Sequence, residues 1–259
     1  MQGIKGERMN LTGKVALITG AGVRIGRALA LAVAQHGANV LVHYNTSDQE
    51  AREVVALIEG LENASHPRAV AIGGDLRDPA TPERLITKGV KAFGHVDILI
   101  NSAAIFRRGT VLDTTEADWD DHLAINLKAP FFLCQAFARQ LQPDQRAHII
   151  NIADWRAMRP GVAHMAYTAA KAGLVALTKS MALALAPNVQ VNAIAPGAIL
   201  PPPETSTEEG AQEYFARLAQ KIPVKHTGSP DEVAKAALYL LDSDFVTGEV
   251  LFVTGGEHL

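Results

Sequence analysis

Runs of apolar, β-branched residues alternate with longer helical patterns along the whole chain. The apolar runs are continuous and are not interrupted by polar residues at alternate positions, which is typical of strands covered on both faces. Seven strands are predicted, at 14–19, 39–44, 68–75, 96–104, 147–154, 189–196 and 249–256. Helices are predicted at 24–37, 48–61, 82–93, 118–141, 164–186 and 229–241. This order of elements predicts an α/β fold, a single-domain, doubly wound parallel sheet with helices on both faces.

Two segments lie outside this alternation. Residues 1–11 lack the apolar centre of a secretory signal, and we expect a flexible extension there. Residues 197–210 are rich in Pro, Thr and Glu, which predicts a loop. Long loops inside compact domains are usually functional, so we expect a substrate loop at about 198–225 within one domain covering 12–259.

Composition excludes several classes of function. The chain has 259 residues, of which 48% are hydrophobic and 20% charged, and its net charge is −3. We therefore expect a cytoplasmic protein with no nucleic-acid partner and no membrane contact, since no apolar stretch approaches the ~18 residues of a membrane span. The nine histidines fall at no metal-ligand spacing, so we expect no metal. Cys134, on a predicted helix, is more typical of a buried hydrophobic residue than of a nucleophile.

A glycine-bearing turn joins the first predicted strand to the first helix. Gly20 and Gly22 of "TGAGVRIG" would let the backbone approach a phosphate, and Gly26 would let the helix lie close to the strand. A tight turn can need glycine for steric reasons alone. Its position in the first βα unit nevertheless favours a dinucleotide site of the Rossmann type.

The end of the second predicted strand indicates which dinucleotide binds. An NAD site places Asp or Glu there to hold the ribose 2′-hydroxyl, whereas this chain reads "VHYNTSD", with no acid before Asp48. Asn45, Thr46 and Ser47 can donate hydrogen bonds to a 2′-phosphate, and Arg24 supplies a cation nearby. These residues predict NADPH as the cofactor, although each of the three polar residues could be a loop former only.

Tyr167 and Lys171 stand four residues apart on one face of a predicted helix. Hydride transfer needs a proton donor, and the ordinary pKa of tyrosine, about 10, is too high for easy exchange at neutral pH. A lysine cation ~4 Å away supplies about 4 kcal/mol at an effective dielectric constant of ~20, which would lower that pKa enough. The small, apolar residues around the pair argue against a solvated face. We therefore expect Tyr167 to act as general acid and Lys171 to tune it.

Asp154 lies thirteen residues before Tyr167, at the end of a predicted apolar strand. An ionised aspartate only accepts hydrogen bonds, so it would repel the negative charge that gathers on a ketone oxygen during hydride transfer. It would attract a C=N nitrogen, which becomes protonated, and it would keep Tyr167 protonated by opposing Lys171. A protonated Asp154 could itself donate to a ring nitrogen. The alternative is an aspartate bonded to nearby backbone, with another residue serving as donor.

These pieces together resemble the short-chain dehydrogenase/reductase family over nearly the whole chain. The family's glycine pattern appears as "TGAGVRIG", its N-N-A-G as "NSAA" and its helical Y-x-x-x-K as "YTAAK". Further family positions are matched by Asp75, Asn126 and Pro196-Gly197. The resemblance implies that Asp75 lies on the adenine side and that Lys171 also holds the nicotinamide ribose. For Asn126 it implies a prop for a water or for that lysine, and a helix kink or cap is the other role left open.

Two departures from the family pattern resemble one subgroup, the pteridine and dihydromonapterin reductases. Arg24 replaces the middle glycine of the turn, and Asp154 replaces the active-site serine. That subgroup also has an aromatic residue after the fourth strand, where Phe106 falls, and this residue stacks the pterin ring against the nicotinamide. The ending "GGEHL" looks like that of bacterial dihydromonapterin reductases, while Ala104 stands where some pteridine reductases have a serine.

The residue chemistry and the resemblance together imply NADPH-dependent reduction of the C=N bond of a dihydropterin or related folate-type substrate. One alternative is a carbonyl reductase of the same family, acting on a 3-ketoacyl thioester or a sugar ketone. Another is a non-catalytic NADP-binding sensor. The family also implies a homo-oligomer, a tetramer or a dimer, with the helices at 118–141 and 164–186 as contact surfaces.

These arguments assign the site residues. The catalytic residues are Asp154, Tyr167, Lys171 and Asn126. The substrate-binding residues are Arg24, Phe106, Asp154 and Tyr167. The cofactor-binding residues are Gly20, Arg24, Ile25, Asn45, Thr46, Ser47, Asp75, Leu76, Asn101, Ala103, Tyr167, Lys171, Pro196 and Gly197. Trp155 is either a wall of the pocket or a buried structural residue.

Overall fold

Seven parallel strands form one sheet in the computed structural model, which describes residues 11–62, 66–201 and 207–259. The strands are β1 (Val15–Ile18), β2 (Asn39–Tyr44), β3 (Ala69–Gly73), β4 (Ile98–Asn101), β5 (Ala147–Ile152), β6 (Val189–Pro196) and β7 (Val250–Val253). Their order across the sheet is β3-β2-β1-β4-β5-β6-β7, and every neighbouring pair is parallel. The predicted seven-stranded parallel sheet is therefore confirmed.

Helices cover both faces of this sheet. They are α1 (Arg24–Gln35), α2 (Asp48–Glu59), α3 (Thr81–Phe93), α4 (Glu116–Leu123), α5 (Ala129–Gln140), α6 (Met165–Leu185), α7 (Glu208–Lys221) and α8 (Pro230–Asp242). On one face, α1, α2 and α8 pack with Ala16 and Ile18 of β1. On the other face, α3, α5 and α6 pack with Val15 and Leu17. Alternate side chains of one strand thus enter two separate cores, which confirms the doubly wound arrangement.

The predicted single helix at 118–141 is wrong, because the structure breaks it. A π-helical turn, Ala124–Lys128, separates α4 from α5. Pro130 has no backbone N–H and cannot donate to the carbonyl of Asn126, four residues earlier. The amide of Ala129 bonds a carbonyl five residues back, which is the π pattern. Asn126 is fully buried at this turn.

The expected loop at about 198–225 is wrong in its second half, where α7 lies. The hydroxyl of Thr207 accepts the amide hydrogen of Gly210 at 3.1 Å and so caps the start of this helix. The proline- and glutamate-rich sequence before the helix is typical of a loop, so the start of this helix was not predicted. Residues 202–206 of the predicted loop lie outside the described residues.

The predicted extension at 1–11 also lies outside the described residues, except for Leu11. Leu11 is buried in the core beside α1, and its amide donates to the carbonyl of His36 at 2.8 Å. This residue therefore belongs to the folded domain and not to an extension.

Helix α6 is the one described helix that is long and apolar enough to cross a membrane, with 21 residues and a mean hydropathy of 1.2. The expectation that no apolar stretch reaches this length is therefore wrong. The helix packs against β6, α4 and the π-helical turn, and its buried residues include Tyr167 and Lys171. These contacts are those of a core helix in the layer that covers the sheet.

Candidate active site

A cavity of about 490 Å³ opens at the carboxyl ends of the strands. It lies where β1 is flanked by β2 and β4, the reversal of strand order at which doubly wound sheets bind ligands. Most of the predicted site residues line it: Gly20, Arg24, Ile25, Asn45, Thr46, Ser47, Asp75, Leu76, Ala103, Phe106, Asp154, Tyr167, Lys171, Pro196 and Gly197. These predicted site residues therefore lie together around one cavity.

The turn after β1 leaves no room for side chains at two of its glycines. A Cβ atom on Gly26 would lie 2.1 Å from the carbonyl oxygen of Gly20. A Cβ atom on Gly20 would lie 3.0 Å from Cα of Ala103, and Gly20 has a φ of +65°, which favours glycine. Bare backbone and the start of α1 therefore face the cavity, which is the geometry that a dinucleotide phosphate requires.

His43, at the end of β2, holds this turn in place. Its Nδ1 accepts the amide hydrogen of Gly20 at 3.2 Å, and its Nε2 lies 2.9 Å from the carbonyl oxygen of Gly74. These two partners require a neutral ring that carries its hydrogen on Nε2. Burial lowers the pKa of His43 to about 4, which keeps the ring neutral. The sequence analysis missed this residue, because its partners come together only in the fold.

The ribose end of the cavity presents uncharged donors and a cation. Asp48 does not line the cavity; its carboxylate pairs with Arg52 on the next turn of α2, at 2.8 Å. The guanidinium of Arg24 donates to the carbonyl of Pro201 at 3.0 Å, and Arg24 has a φ of +54°, which is uncommon outside glycine. The uncharged residues here are Asn45, Thr46 and Ser47. This set suits a 2′-phosphate better than a ribose hydroxyl.

Tyr167 and Asp154 are in direct contact. Oη of Tyr167 donates to Oδ2 of Asp154 at 2.9 Å, and Oδ1 of Asp154 accepts the amide hydrogen of Arg156 at 2.8 Å. Lys171 is buried one turn along α6 and donates from Nζ to the carbonyl of Ile152 at 2.5 Å. The structure thus brings three predicted catalytic side chains together at the end of β5. Asp154 both bonds the backbone and reaches the tyrosine, and its predicted role toward the substrate stays a prediction.

The electrostatics of this cluster differ from one expectation. Burial, and then the carboxylate of Asp154, raise the pKa of Tyr167 well above its ordinary value. The predicted lowering of that pKa by Lys171 is therefore wrong here, while the predicted protonating effect of Asp154 is confirmed. Burial also lowers the pKa of Lys171 to about 8, and the attraction of Asp154 opposes this shift.

Arg156 is a cavity residue that the sequence analysis missed. Its Nη1 lies 3.4 Å from each carboxylate oxygen of Asp154. Its guanidinium carbon lies 5.1 Å from the centre of the Trp155 ring and 5.7 Å from that of Phe106. The side chain of Arg156 is 30% exposed and that of Asp154 13%, so this pair is largely withdrawn from water.

Phe106 lies in the cavity wall, between the ring of Tyr167 on α6 and the ring of His164, the residue just before that helix. The His164 ring stacks on it with centres 4.0 Å apart, and the Tyr167 ring meets it edge-on at 4.7 Å. His164 has a φ of +60°, and its Nδ1 lies 3.0 Å from the carbonyl oxygen of Arg107. The predicted aromatic slot residue is therefore in the cavity and adjoins Tyr167, the predicted general acid.

The segment that carries Phe106 is tied to the π-helical turn. Asn126 accepts the amide hydrogen of Ile105 through Oδ1 and donates to the Ile105 carbonyl through Nδ2, both at 2.9 Å. Nε2 of the buried His122 accepts the amide hydrogen of Arg107 at 3.2 Å. Asn126 does not line the cavity, and both polar atoms of its side chain bond the backbone of Ile105. It lies in the helix kink and positions the Phe106 segment.

Two further residues do not line the cavity. The buried side chain of Asn101 donates to Oδ1 of Asn151 at 2.8 Å and contacts Sγ of Cys134 at 3.4 Å. Asn101 therefore does not reach the cavity with its side chain, because the side-chain NH2 group bonds Asn151 in the core; its cofactor-binding role stays a prediction. Trp155 is partly buried beside the cavity and is covered by Arg156. Burial raises the pKa of Cys134 to about 12, which fits the expected inert residue.

The chain's end supplies a carboxylate that the sequence analysis did not assign. Oε2 of Glu257 accepts the amide hydrogen of Ala198 at 2.9 Å, and burial raises the pKa of Glu257. Glu257 lines the cavity with Asp75 and Asp154. Within the ranges that the structure describes, no three His, Cys, Asp or Glu side chains are grouped to hold a metal ion.

Comparisons with known proteins agree with this architecture. A family profile described as Enoyl-(Acyl carrier protein) reductase matches residues 20–258. The (2S)-[(R)-hydroxy(phenyl)methyl]succinyl-CoA dehydrogenase subunit BbsD of Thauera aromatica is 35% identical over 97% of this chain and 99% of that protein. The 3-oxoacyl-[acyl-carrier-protein] reductase FabG of Thermotoga maritima is 34% identical over 96% of this chain and 99% of that protein.

A solved structure is also similar over the full fold. It is FolM alternative dihydrofolate reductase 1 from Brucella canis, complexed with NADP, with a TM-score of 0.87 and 30% identity. The similarity covers 97% of this chain and 96% of that one. The profile match, these relatives and the confirmed sheet order agree with one another. The chain belongs to the short-chain dehydrogenase/reductase family.

Proposed function

We propose that the protein is an NADPH-dependent reductase that transfers hydride to the C=N bond of a dihydropterin or a related folate-type ring. The observation that carries this proposal is the position of Asp154. Its carboxylate lies in the cavity wall and accepts the phenol hydrogen of Tyr167 at 2.9 Å. A hydroxyl at this place would donate a hydrogen bond to a carbonyl substrate, whereas an ionised carboxylate accepts one.

The residues of the cavity fit a dinucleotide with a 2′-phosphate. The bare backbone at Gly20 and Gly26 leaves space for phosphate against the start of α1. Arg24 and the uncharged donors at the end of β2 lie where the adenosine ribose is held in doubly wound folds. Bound NADPH supplies the hydride. Lys171, with Nζ at the end of β5, would hold the second ribose beside Tyr167.

The charge of Asp154 favours nitrogen substrates over ketones. A ketone oxygen becomes negative as hydride arrives, and a carboxylate next to it raises the energy of that transition state. The nitrogen of a C=N bond becomes protonated and positive, so the same carboxylate lowers the energy. Asp154 is largely buried, which strengthens both effects relative to water.

Tyr167 and Asp154 would deliver the proton as a pair. Tyrosinate beside a carboxylate is unfavourable, because burial and Asp154 already raise the pKa of Tyr167 well above its ordinary value. A pair that takes up a second proton from solvent as the substrate binds can pass that proton to the ring nitrogen, which leaves Asp154 ionised beside the protonated nitrogen and Tyr167 still bonded to it. Phe106, fixed by Asn126 through Ile105, would pack on the ring while this happens.

The solved relative supports this proposal, and the sequence relatives favour a second candidate. The FolM structure with NADP is that of an alternative dihydrofolate reductase. The matched profile and the Thermotoga maritima relative are both named for acyl-carrier-protein substrates. A carbonyl reductase acting on a 3-ketoacyl thioester is therefore the second candidate, and its weakness is the carboxylate of Asp154 beside the reacting oxygen.

A substrate panel tests the two candidates and a non-catalytic sensor together. NADPH oxidation is followed with dihydrobiopterin, dihydromonapterin, dihydrofolate and acetoacetyl thioester under identical conditions. We expect turnover of at least one dihydropterin or dihydrofolate and little turnover of the thioester. Turnover of the thioester alone would remove the pterin proposal, and NADPH binding with no turnover would favour the sensor.

The cofactor preference has its own test. We expect a lower apparent KM for NADPH than for NADH. Arg24→Met should lower the ratio of the KM for NADH to the KM for NADPH by about 10-fold, because a charged hydrogen bond to the 2′-phosphate is lost. Arg27→Met, a cation one turn further along α1 that does not line the cavity, is the matched control. Equal KM values for the two cofactors in the unmodified protein would contradict the preference.

We also propose that the protein is a dimer or tetramer. Large apolar side chains are exposed on the helices named for this role: Trp119 on α4, Phe132 on α5 and Leu183 on α6. Their burial between copies would remove apolar surface from water. Light scattering of the purified protein should give a mass of two or four chains, and Leu183→Glu or Phe132→Glu should lower it.

A further inference from the structure

We infer that Glu257 is a positioning residue for the nicotinamide half of the cofactor. Its carboxylate bonds the backbone of residues 196–198, which follow β6 and line the cavity. This inference rests on the NADPH cofactor of the proposed function and adds to it a side chain that acts through the backbone. It holds for a pterin and for a thioester alike, because it concerns the cofactor and not the acceptor.

Residues 196–198 lie beside the catalytic side chains. β5 and β6 are paired so that Ile152 lies opposite Ile194. Asp154 and Pro196 come two residues later on the two strands, so the backbone after β6 runs next to the carboxylate in the cavity wall. Doubly wound folds hold the adenosine ribose at the end of β2, which lies on the other side of β1 in the sheet. Residues 196–198 therefore flank the end of the cavity at which hydride would be transferred.

A hydrogen bond from a distant side chain holds this backbone. Oε2 of Glu257 accepts the amide hydrogen of Ala198 at 2.9 Å, and the carbonyl of Ala198 accepts the amide hydrogen of Gly228 at 3.0 Å. The carboxylate also packs closely on the segment, since a Cβ atom on Gly197 would lie 2.6 Å from Oε2 of Glu257. The glycine at 197 thus leaves the space that the carboxylate occupies.

The turn after β7 fixes Glu257 itself. Its amide donates to the carbonyl of Thr254 at 3.1 Å, and the hydroxyl of Thr254 accepts the amide hydrogen of Gly256 at 3.2 Å. Gly256 lies against the end of α7, where a Cβ atom on it would come within 2.8 Å of the Pro223 ring. A carboxylate on a fixed turn can hold the backbone that it bonds in one position.

The bond to Ala198 does not require a charge on Glu257. Burial raises the pKa of Glu257, while the amide of Ala198 and then the cation of Arg156 oppose this shift. A carboxyl group retains acceptor capacity whether it is ionised or protonated. Glutamine has nearly the same shape and keeps a side-chain oxygen, so Glu257→Gln should preserve the bond and remove only the charge.

A pair of ligands separates positioning from general support of the fold. Dissociation constants are measured by calorimetry for NADPH and for adenosine 2′,5′-bisphosphate, which carries the 2′-phosphate but lacks the nicotinamide half. We expect Glu257→Ala to raise the dissociation constant of NADPH about 10-fold, the scale of one lost hydrogen bond. The dissociation constant of the bisphosphate should stay unchanged, because residues 196–198 lie away from the adenosine half.

Two further variants serve as controls. Glu257→Gln should bind both ligands as the unmodified protein does, because the acceptor for the Ala198 amide is kept. Glu249 is an exposed glutamate that directly precedes β7 and does not line the cavity. Glu249→Ala should therefore leave both dissociation constants unchanged.

Three results would overturn the inference. Equal losses of affinity for NADPH and for the bisphosphate in Glu257→Ala would show a general effect on the fold. Unchanged NADPH binding in Glu257→Ala would show that residues 196–198 keep their place without the carboxylate. A loss in Glu257→Gln as large as that in Glu257→Ala would assign the effect to charge.

Failure of the proposed function gives a different result. If the unmodified protein reduced the thioester alone, the pterin substrate would be removed, while the selective loss of NADPH affinity in Glu257→Ala would still support the positioning role. If the unmodified protein bound the bisphosphate and NADPH equally tightly, the nicotinamide half would make no net contribution to binding, which would overturn the positioning role.

Discussion

Oη of Tyr167 lies 2.9 Å from Oδ2 of Asp154 and donates its hydrogen to it. The proton of the expected general acid is therefore bonded to a carboxylate before any substrate arrives. Because burial and Asp154 raise the pKa of Tyr167, this proton is not released easily to solvent. The reacting proton therefore belongs to the two residues together.

Tyr167→Phe should lower kcat by about 10²- to 10⁴-fold, the usual effect of removing a general acid. NADPH binding should change little, because the ring that packs against Phe106 is kept. Steady-state kinetics and a fluorescence titration measure the two effects separately. Tyr239→Phe, an exposed position on α8, serves as the matched control. A fall of less than 10-fold in kcat would remove Tyr167 from the proton-transfer step.

NADPH affinity should fall as pH rises through about 8, since burial lowers the pKa of Lys171 to about 8. The cation is present below this pH and is lost above it. We expect the dissociation constant to increase about tenfold from pH ~7 to pH ~9, in line with the lost fraction of cation. Lys171→Met should bind weakly at both pH values and show no such slope.

Lys179→Met tests whether this slope belongs to Lys171. Lys179 is exposed on the same helix, so its removal should leave the pH dependence intact. An NADPH dissociation constant that stays flat in the unmodified protein over the same range would contradict the role of the Lys171 cation.

His43 should make the fold sensitive to mild acid. Burial lowers the pKa of His43 to about 4, so between its ordinary pKa of about 6.5 and pH ~4 the unfolded chain binds more protons than the folded one. Its contribution to stability is complete above that range and is lost as pH falls through it. The expected loss at pH ~5 relative to pH ~7 is about 2 kcal/mol in the free energy of unfolding, measured with urea.

His43→Gln should reduce this acid sensitivity, because glutamine does not titrate. His148 remains in the variant, and burial also lowers its pKa to about 4. Part of the slope of the free energy of unfolding against pH should therefore persist. Equal slopes in His43→Gln and the unmodified protein would show that His43 titrates normally.

Asn126→Ala should loosen the segment that carries Phe106. Both backbone groups of Ile105 would lose their partner, at a cost of about 1–3 kcal/mol in the free energy of unfolding. Because Phe106 would be held less firmly, KM for the substrate should rise more than kcat falls. Asn188→Ala, at a partly exposed asparagine that bonds the carbonyl of Pro143, is the control. If Asn126→Ala and Asn188→Ala had the same free energy of unfolding, Asn126 would not be what holds the segment at Ile105.

The sequence predicted what depends on local pattern and fixed spacing. Continuous apolar runs predicted the sheet, and the glycines after β1 predicted the turn that faces the cavity. Asp154 was assigned to the site because it ends a strand and precedes Tyr167 by a set distance. The signals for the sheet and the turn lie within one strand, one helix or one turn, where the chain's own geometry decides, whereas the assignment of Asp154 also rested on the resemblance to the pteridine reductases.

The sequence failed where the outcome depended on contacts between distant segments. The break between α4 and α5 follows from Pro130 and from the two bonds that Asn126 makes to Ile105, and only the proline was visible in the sequence. Asn101 ends β4 as expected, but its side-chain NH2 group donates to Asn151 on the neighbouring strand β5, inside the core. Arg156 sits two residues after Asp154, yet its two aromatic contacts could not be seen without the fold.

The central claim is that Asp154 selects for C=N reduction, and one comparison tests it most directly. The kcat/KM values for a 7,8-dihydropterin and for acetoacetyl thioester are measured in the unmodified protein and in Asp154→Ser. We predict that the substitution lowers the dihydropterin-to-thioester ratio by about 100-fold or more, the scale of one misplaced group beside a reacting atom, with the thioester rate unchanged or higher. A ratio that stays the same, or shifts toward the dihydropterin, would contradict the account.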